Sequence, residues 1–107
     1  MGMNRPLRRG DVYWVNLDPT VGTEIRKTRP AVIVSPEDMN AALPRVIIAP
    51  LTTTPQTLGC RPLVVFKRKR AYILLDQLRT VDKQRLGQYM GSISPDLWHG
   101  TLLEMLR

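Results

Sequence analysis

The sequence predicts a mainly β domain, built of short antiparallel strands and closed by one C-terminal helix. Three observations lead there. Five or six short runs rich in Val, Ile, Leu, Tyr and Trp recur along the chain, Pro, Gly, Asp and Asn punctuate the gaps between them, and only the C-terminal end carries helical apolar spacing. At 107 residues and 43% hydrophobic content the chain fits a single domain, expected over residues 10–107, with enough core to fold alone.

Residues 1–9 are polar and basic without periodicity, so a frayed, disordered N-terminus is expected there. Asp11 to Leu17 alternates Val12, Trp14 and Asn16 against Tyr13, Val15 and Leu17, the period of a first strand. Asp18-Pro19-Thr20-Val21-Gly22 breaks it, and Thr23 to Thr28 extend a long loop of the kind that often carries function. Thr28-Arg29-Pro30-Ala31-Val32-Ile33-Val34-Ser35 is a second strand, with Pro30 at its opening where a missing N–H is tolerated and Arg29 extended at its mouth.

A polar connection through Glu37, Asp38 and Asn40 leads to a third strand, Arg45 to Leu51, whose Val-Ile-Ile centre implies burial on both faces. Thr52, Thr53 and Thr54 place three hydroxyls at its exit. Pro62 to Phe66 and Ala71 to Leu75 form a hairpin around the basic turn Lys67-Arg68-Lys69-Arg70. Thr80 to Lys83 reads as a short helical turn capped by Thr80, and Gly87 to Ile93 as a last strand. Ser94-Pro95-Asp96 then starts a helix: a capping hydroxyl, a proline suited to the first turn and an acid that complements the dipole. Trp98, Leu102 and Met105 share one face of that helix, which is expected to cover the open side of the sheet.

Sixteen Lys and Arg against nine Asp and Glu give a net charge of +7, favouring a polyanionic partner. No apolar run approaches a bilayer span, so no membrane association is expected, and the lone Cys60 suits the reducing cytoplasm. Metal chemistry is poorly supplied, with one His and one Cys in the whole chain, and no cofactor motif is present. His99, inside the last helix, reads as structural. An arginine, a few carboxylates and a row of threonines beside exposed cations remain, a set suited to binding a phosphodiester and stabilising charge that develops on it.

Arg9-Gly10-Asp11-Val12-Tyr13-Trp14-Val15, Gly22-Thr23-Glu24, the Thr28 to Ser35 block, Pro50-Leu51-Thr52 and Leu75 to Leu86 occur in that order over nearly the whole chain, and together they resemble the MazF/PemK toxin family. The resemblance implies an SH3-like, partly open antiparallel barrel with a terminal helix, assembled as a homodimer. It also implies a metal-independent endoribonuclease that cuts single-stranded RNA at short sequences and is held inactive by a cognate acidic antitoxin with a disordered tail. Cleavage in the family falls to positions matching Arg29 and Thr52. The loop acid matches Glu24; Asp76 matches an aspartate used by some members, and Gln77 and Arg79 lie in the same block. An arginine that part of the family places two residues before that aspartate is Leu74 here, and a histidine used by some members is absent.

The chemistry of the residues agrees with those roles. Metal-free RNA cleavage needs a base for the 2′-hydroxyl, stabilisation of a phosphorane and a proton for the leaving 5′-oxygen. A guanidinium is a poor base and a good clamp for phosphoryl oxygens, the part assigned to Arg29. Thr52 donates a hydrogen bond, and Glu24 is the candidate base, with a solvated loop acid as the alternative. Arg26, Lys27, Lys67, Arg68, Lys69 and Arg70 are assigned to RNA phosphates, with Thr53 beside them. Tyr13 and Trp14 point to opposite faces of one strand, so one packs in the core while the other is free to stack a base; Tyr13 is assigned to the RNA-binding set. Two other readings remain open: a non-catalytic barrel that binds RNA or protein, and a poison of gyrase similar to CcdB toxins.

Overall fold

A computed structural model of the chain describes residues 5–17 and 28–107. Seven strands form one curled antiparallel sheet: β1 Asp11–Asn16, β2 Thr28–Ile33, β3 Arg45–Thr52, β4 Leu63–Phe66, β5 Lys69–Ile73, β6 Arg79–Asp82 and β7 Leu86–Ser92. Two short helices accompany them, α1 Glu37–Ala42 and α2 His99–Met105. The order across the sheet is β4-β5-β3-β2-β1-β7, with β6 also paired to β3. β3 organises it: β2 pairs with Ile48 to Pro50, β6 with Arg45 to Ile48 and β5 with Leu51 and Thr52. One long strand thus serves three neighbours, and the sheet curls around it into a half-barrel.

Strand alternation divides the apolar residues into two cores. Val12, Val32, Ala49, Leu51 and Ile73 pack under Trp98 and Leu102, while Tyr13, Val15, Ala31, Ile33, Ile48 and Val81 form the second core. α2 therefore covers one side of the sheet, as its spacing predicts. The helix is shorter than its sequence suggests. Ser94 Oγ accepts the Asp96 N–H at 3.3 Å, but Pro95–Leu97 form a 3-10 turn and Trp98 breaks helical geometry at φ −141°, so the α-helix begins at His99. Trp98 is 1% exposed, whereas Met105 at the far end is 37% exposed.

Three expectations are corrected. Thr80 to Lys83 is not a helical turn, because Arg79–Asp82 completes the β3 edge as a strand; the turn follows at Lys83–Arg85, where Asp82 Oδ1 accepts the Gln84 N–H at 2.8 Å. The connection after β2 contains α1, whose Asn40 is buried and donates to the Ser35 carbonyl at 2.9 Å. Residues 5–9 of the expected disordered N-terminus lie against the domain. Arg9 donates through its N–H to Glu37 at 2.9 Å and through Nε to the Val34 carbonyl at 2.9 Å, and the Arg5 guanidinium lies 3.7 Å from the Tyr89 ring centroid. Each bond reaches a partner at least 25 positions away, so no local pattern announces it.

Gly10 closes the half-barrel. Its N–H donates to Ile33 O at 2.7 Å and its carbonyl accepts from Ile93 N at 2.8 Å, joining the ends of β2 and β7 across the start of β1. A φ of +96° makes this possible, and an added Cβ would sit 2.6 Å from the Ile93 carbonyl oxygen.

Candidate functional site

Where β2 and β3 part company, the sheet opens into a groove. Ala31 pairs with Pro50, Val32 with Ala49 and Ile33 with Ile48, and the ladder ends there. Pro30 and Pro50 account for the ending, since neither can donate to a continued ladder. Beyond that point Arg29 pairs with Val15 of β1 and Thr52 with Tyr72 of β5. Both side chains are half-buried and line a groove of about 530 Å³ with Trp14, Pro30, Leu51, Thr53, Thr54, Phe66, Lys67, Lys69, Ala71 and Met90.

Each wall has a structural cause. Pro30 is the third residue of β2, not the first, and faces Trp14 across the β1–β2 pair. Trp14 is 37% exposed, and Gly87 lets β7 pass it: a Cβ there would approach the Trp14 carbonyl oxygen to 3.3 Å. Phe66 forms the opposite rim and reaches β7 at Gly91, where an added Cβ would lie 3.2 Å from its Cε1. Between these walls projects the β4–β5 hairpin. Its two turn residues, Lys67 and Arg68, have φ of 52° and 68°, the left-handed pair that a two-residue hairpin requires and that Asn-Gly usually supplies. Using two cations there stores strain of about 1–3 kcal/mol per residue beside the groove.

Of the residues singled out by sequence, the groove brings together Arg29, Thr52, Thr53, Lys67 and Lys69. Arg68 and Arg70 are exposed on the same hairpin outside the lining. Glu24, Arg26 and Lys27 lie outside the described residues. Tyr13 is corrected: it is 5% exposed in the second core, stacked edge-on with Tyr89 at 5.5 Å, and burial together with Asp11 pushes its phenol pKa up. Trp14, of opposite parity, is the member of the pair that lines the groove, with Phe66 on the other rim. Both faces of β1 carry a core: Tyr13 packs with Val15, Val81 and Tyr89 in the second one, while α2 covers the other face at Val12 and leaves Trp14 open, which alternation alone does not tell.

Asp76, Gln77 and Arg79 are exposed and do not line the groove. Asp76 instead receives both arms of a guanidinium, Arg61 Nε at 3.0 Å and Nη2 at 2.8 Å, and this pair holds its carboxyl below the usual range. Arg61, Gln56, Phe66 and Met90 carry no functional signal in the sequence. Among the described residues no cluster of three His, Cys, Asp or Glu is placed to hold a metal ion, and no helix is long and apolar enough to cross a membrane.

The structure is a curled β domain whose groove is lined by a guanidinium, threonine hydroxyls and two lysines. The family model described as "PemK-like, MazF-like toxin of type II toxin-antitoxin system" matches residues 8–102, and the chain belongs to that family. Endoribonuclease EndoA of Bacillus subtilis is 37% identical over 86 residues, 75% of this chain and 74% of that protein. A mycobacterial endoribonuclease solved in complex with its cognate antitoxin superposes with a TM-score of 0.76 at 28% identity, covering 95% of both chains. MazF from Deinococcus radiodurans shares the fold, with a TM-score of 0.79 at 22% identity over 96% of this chain and 98% of that one.

Proposed function

We propose that this chain is the toxin of a toxin–antitoxin pair and acts as a metal-independent, sequence-selective endoribonuclease on single-stranded RNA. The observation that carries the reading is the groove where β2 and β3 part, which both Arg29 and Thr52 line. In the reaction the ribose 2′-oxygen bonds to the adjacent phosphorus and the bond to the 5′-oxygen breaks, that oxygen taking a proton from water, to leave a 2′,3′-cyclic phosphate and a 5′-hydroxyl. Arg29 clamps the phosphorane oxygens and Thr52 donates to one of them, where charge builds up most. Trp14 stacks a base, and Lys67 and Lys69 hold flanking phosphates. Glu24 is the proposed acceptor of the 2′-hydroxyl proton.

The partners follow from the same groove. An acidic antitoxin tail, disordered when free, would fold across the cations and cover the RNA site, and its binding would weaken with salt. A homodimer working in the cytoplasm completes the reading. The test is incubation with a long mixed-sequence single-stranded RNA in excess EDTA, with both new ends mapped. Cuts at one short motif bearing cyclic-phosphate ends are expected, and Arg29→Ala should abolish them. Full cleavage by Arg29→Ala would overturn the mechanism.

A further inference from the structure

The loop that leaves the groove, residues 53–62, carries a run of hydrogen bonds that ends on an aspartate outside the groove. The Thr54 N–H donates to Thr52 Oγ1 at 3.1 Å. Gln56 Nε2 donates to the Thr54 carbonyl at 3.0 Å, and Gln56 Oε1 accepts from Arg61 Nη1 at 2.7 Å. Arg61 then donates through Nε and Nη2 to the two oxygens of Asp76 at 3.0 and 2.8 Å. The Thr52 hydroxyl is thereby connected, link by link, to a carboxylate on another element.

Every link has one workable polarity. A guanidinium only donates and a carboxylate only accepts, so the two-armed fork fixes the plane of Arg61. Gln56 must turn its oxygen to Arg61 and its amide nitrogen to the Thr54 carbonyl, because the flipped amide would oppose donor to donor and acceptor to acceptor. Thr52 Oγ1 already receives an N–H from the loop, which leaves its own proton to donate on the groove side. Both ends are anchored. Thr52 pairs with Tyr72 on β5, while Asp76 follows the buried Leu75 in a 3-10 turn tied to β3 by the Leu74 N–H on the Pro50 carbonyl at 2.9 Å. Thr53, Thr54 and Pro55, between the ends, are exposed.

We propose that Gln56, Arg61 and Asp76 are positioning residues for RNA cleavage, holding the Thr52–Thr54 turn so that the Thr52 hydroxyl is aimed into the groove. The inference rests on the reading of Thr52 as the phosphate-binding donor. It gives Asp76 a supporting part in place of an acid or base in the chemistry. Gln56 is the least obvious member, since its amide alone bridges the ion pair to the turn.

The test is a mutant cycle read as kcat and KM on an RNA oligonucleotide carrying the cleaved motif, in EDTA. Asp76→Asn and Gln56→Ala should each lower kcat about 10- to 100-fold with KM within about twofold, the loss expected when one transition-state donor is misaimed. Asp76→Glu should recover part of the rate, whereas Arg61→Lys, lacking the fork, should not. Combined with Thr52→Ala, Asp76→Asn and Gln56→Ala should have no further effect, because groups acting through one another are not additive. Gln56 sits in a half-buried loop position, so its variant should melt like the wild type. Unchanged kcat in Asp76→Asn, or an equal drop with and without Thr52, would overturn the positioning role. Full activity in Thr52→Ala alone would instead overturn the reading of Thr52 itself.

Discussion

Gly10→Ala tests whether one residue closes the half-barrel. The new Cβ would meet the Ile93 carbonyl oxygen at 2.6 Å, and ordinary contact begins near 3.4 Å, so the two backbones must separate by about 0.8 Å. That movement would stretch the Ile93 N–H bond to the Gly10 carbonyl from 2.8 Å to roughly 3.6 Å, beyond useful hydrogen bonding. Losing that bond removes about 1 kcal/mol. Holding alanine at φ +96° adds about 1–3 kcal/mol of backbone strain. The expected loss is therefore about 2–4 kcal/mol, a large share of the ~5–15 kcal/mol that holds such a domain together. With an unfolding entropy of about 2.1 cal/mol/K per residue over 107 residues, the melting temperature should fall by roughly 10–20 °C. Calorimetry on Gly10→Ala beside Gly59→Ala, whose added Cβ meets nothing within 4 Å, is the assay. A Gly10→Ala melting point within about 3 °C of the wild type would refute the reasoning.

Trp14→Ala should weaken binding of single-stranded RNA about 5- to 100-fold by removing one stacking surface, whereas Tyr13→Phe should leave RNA binding unchanged; fluorescence titration separates the two. Replacing the turn pair Lys67-Arg68 by Asn-Gly should raise stability by about 1–2 kcal/mol in urea titration and yet weaken RNA binding. The salt dependence of that binding should become shallower by about 0.7 for each RNA phosphate the hairpin no longer neutralises. Asp11 is 3% exposed and burial pushes its carboxyl pKa up, against the opposing pull of the Arg8 N–H, Arg5 and Arg8, with Glu37 adding to the rise. The folded state thus holds this proton more tightly than the unfolded chain, so its stabilising contribution is present at low pH and is lost as pH rises through the raised pKa. Asp11→Asn should flatten that part of the stability–pH curve while keeping the acceptor for Arg8. A slope equal to the wild type's would show that the desolvated carboxyl has no such effect.

The reading of local order from sequence rests on period and punctuation, and it holds where both are short-range. The alternation through Val12 to Leu17, the Arg-Pro opening of β2, the Val-Ile-Ile centre of β3 and the Ser94-Pro95 turn are all properties of neighbouring residues. The same local signals set Arg29 and Thr52 near strand ends, and the resemblance to the MazF/PemK family made them candidates.

The sequence by itself determined a β domain, the positions of six of its seven strands, its cationic character, and the parity that separates Tyr13 from Trp14. Tertiary structure decided which parity faces the groove, because Tyr13 is enclosed by Tyr89, Leu86 and Val81 from distant strands, while α2 covers the other face at Val12 and leaves Trp14 open. It decided that residues 5–9 are tied down, since their partners lie just past β2, on α1 and on β7. It also brought Asp76 to Arg61, 15 positions away, and so moved that carboxylate out of the groove and into the loop's support. Register, and which face is covered, are set by distant pairings that release far more free energy than any local preference, and those pairings exist only once the chain has closed on itself.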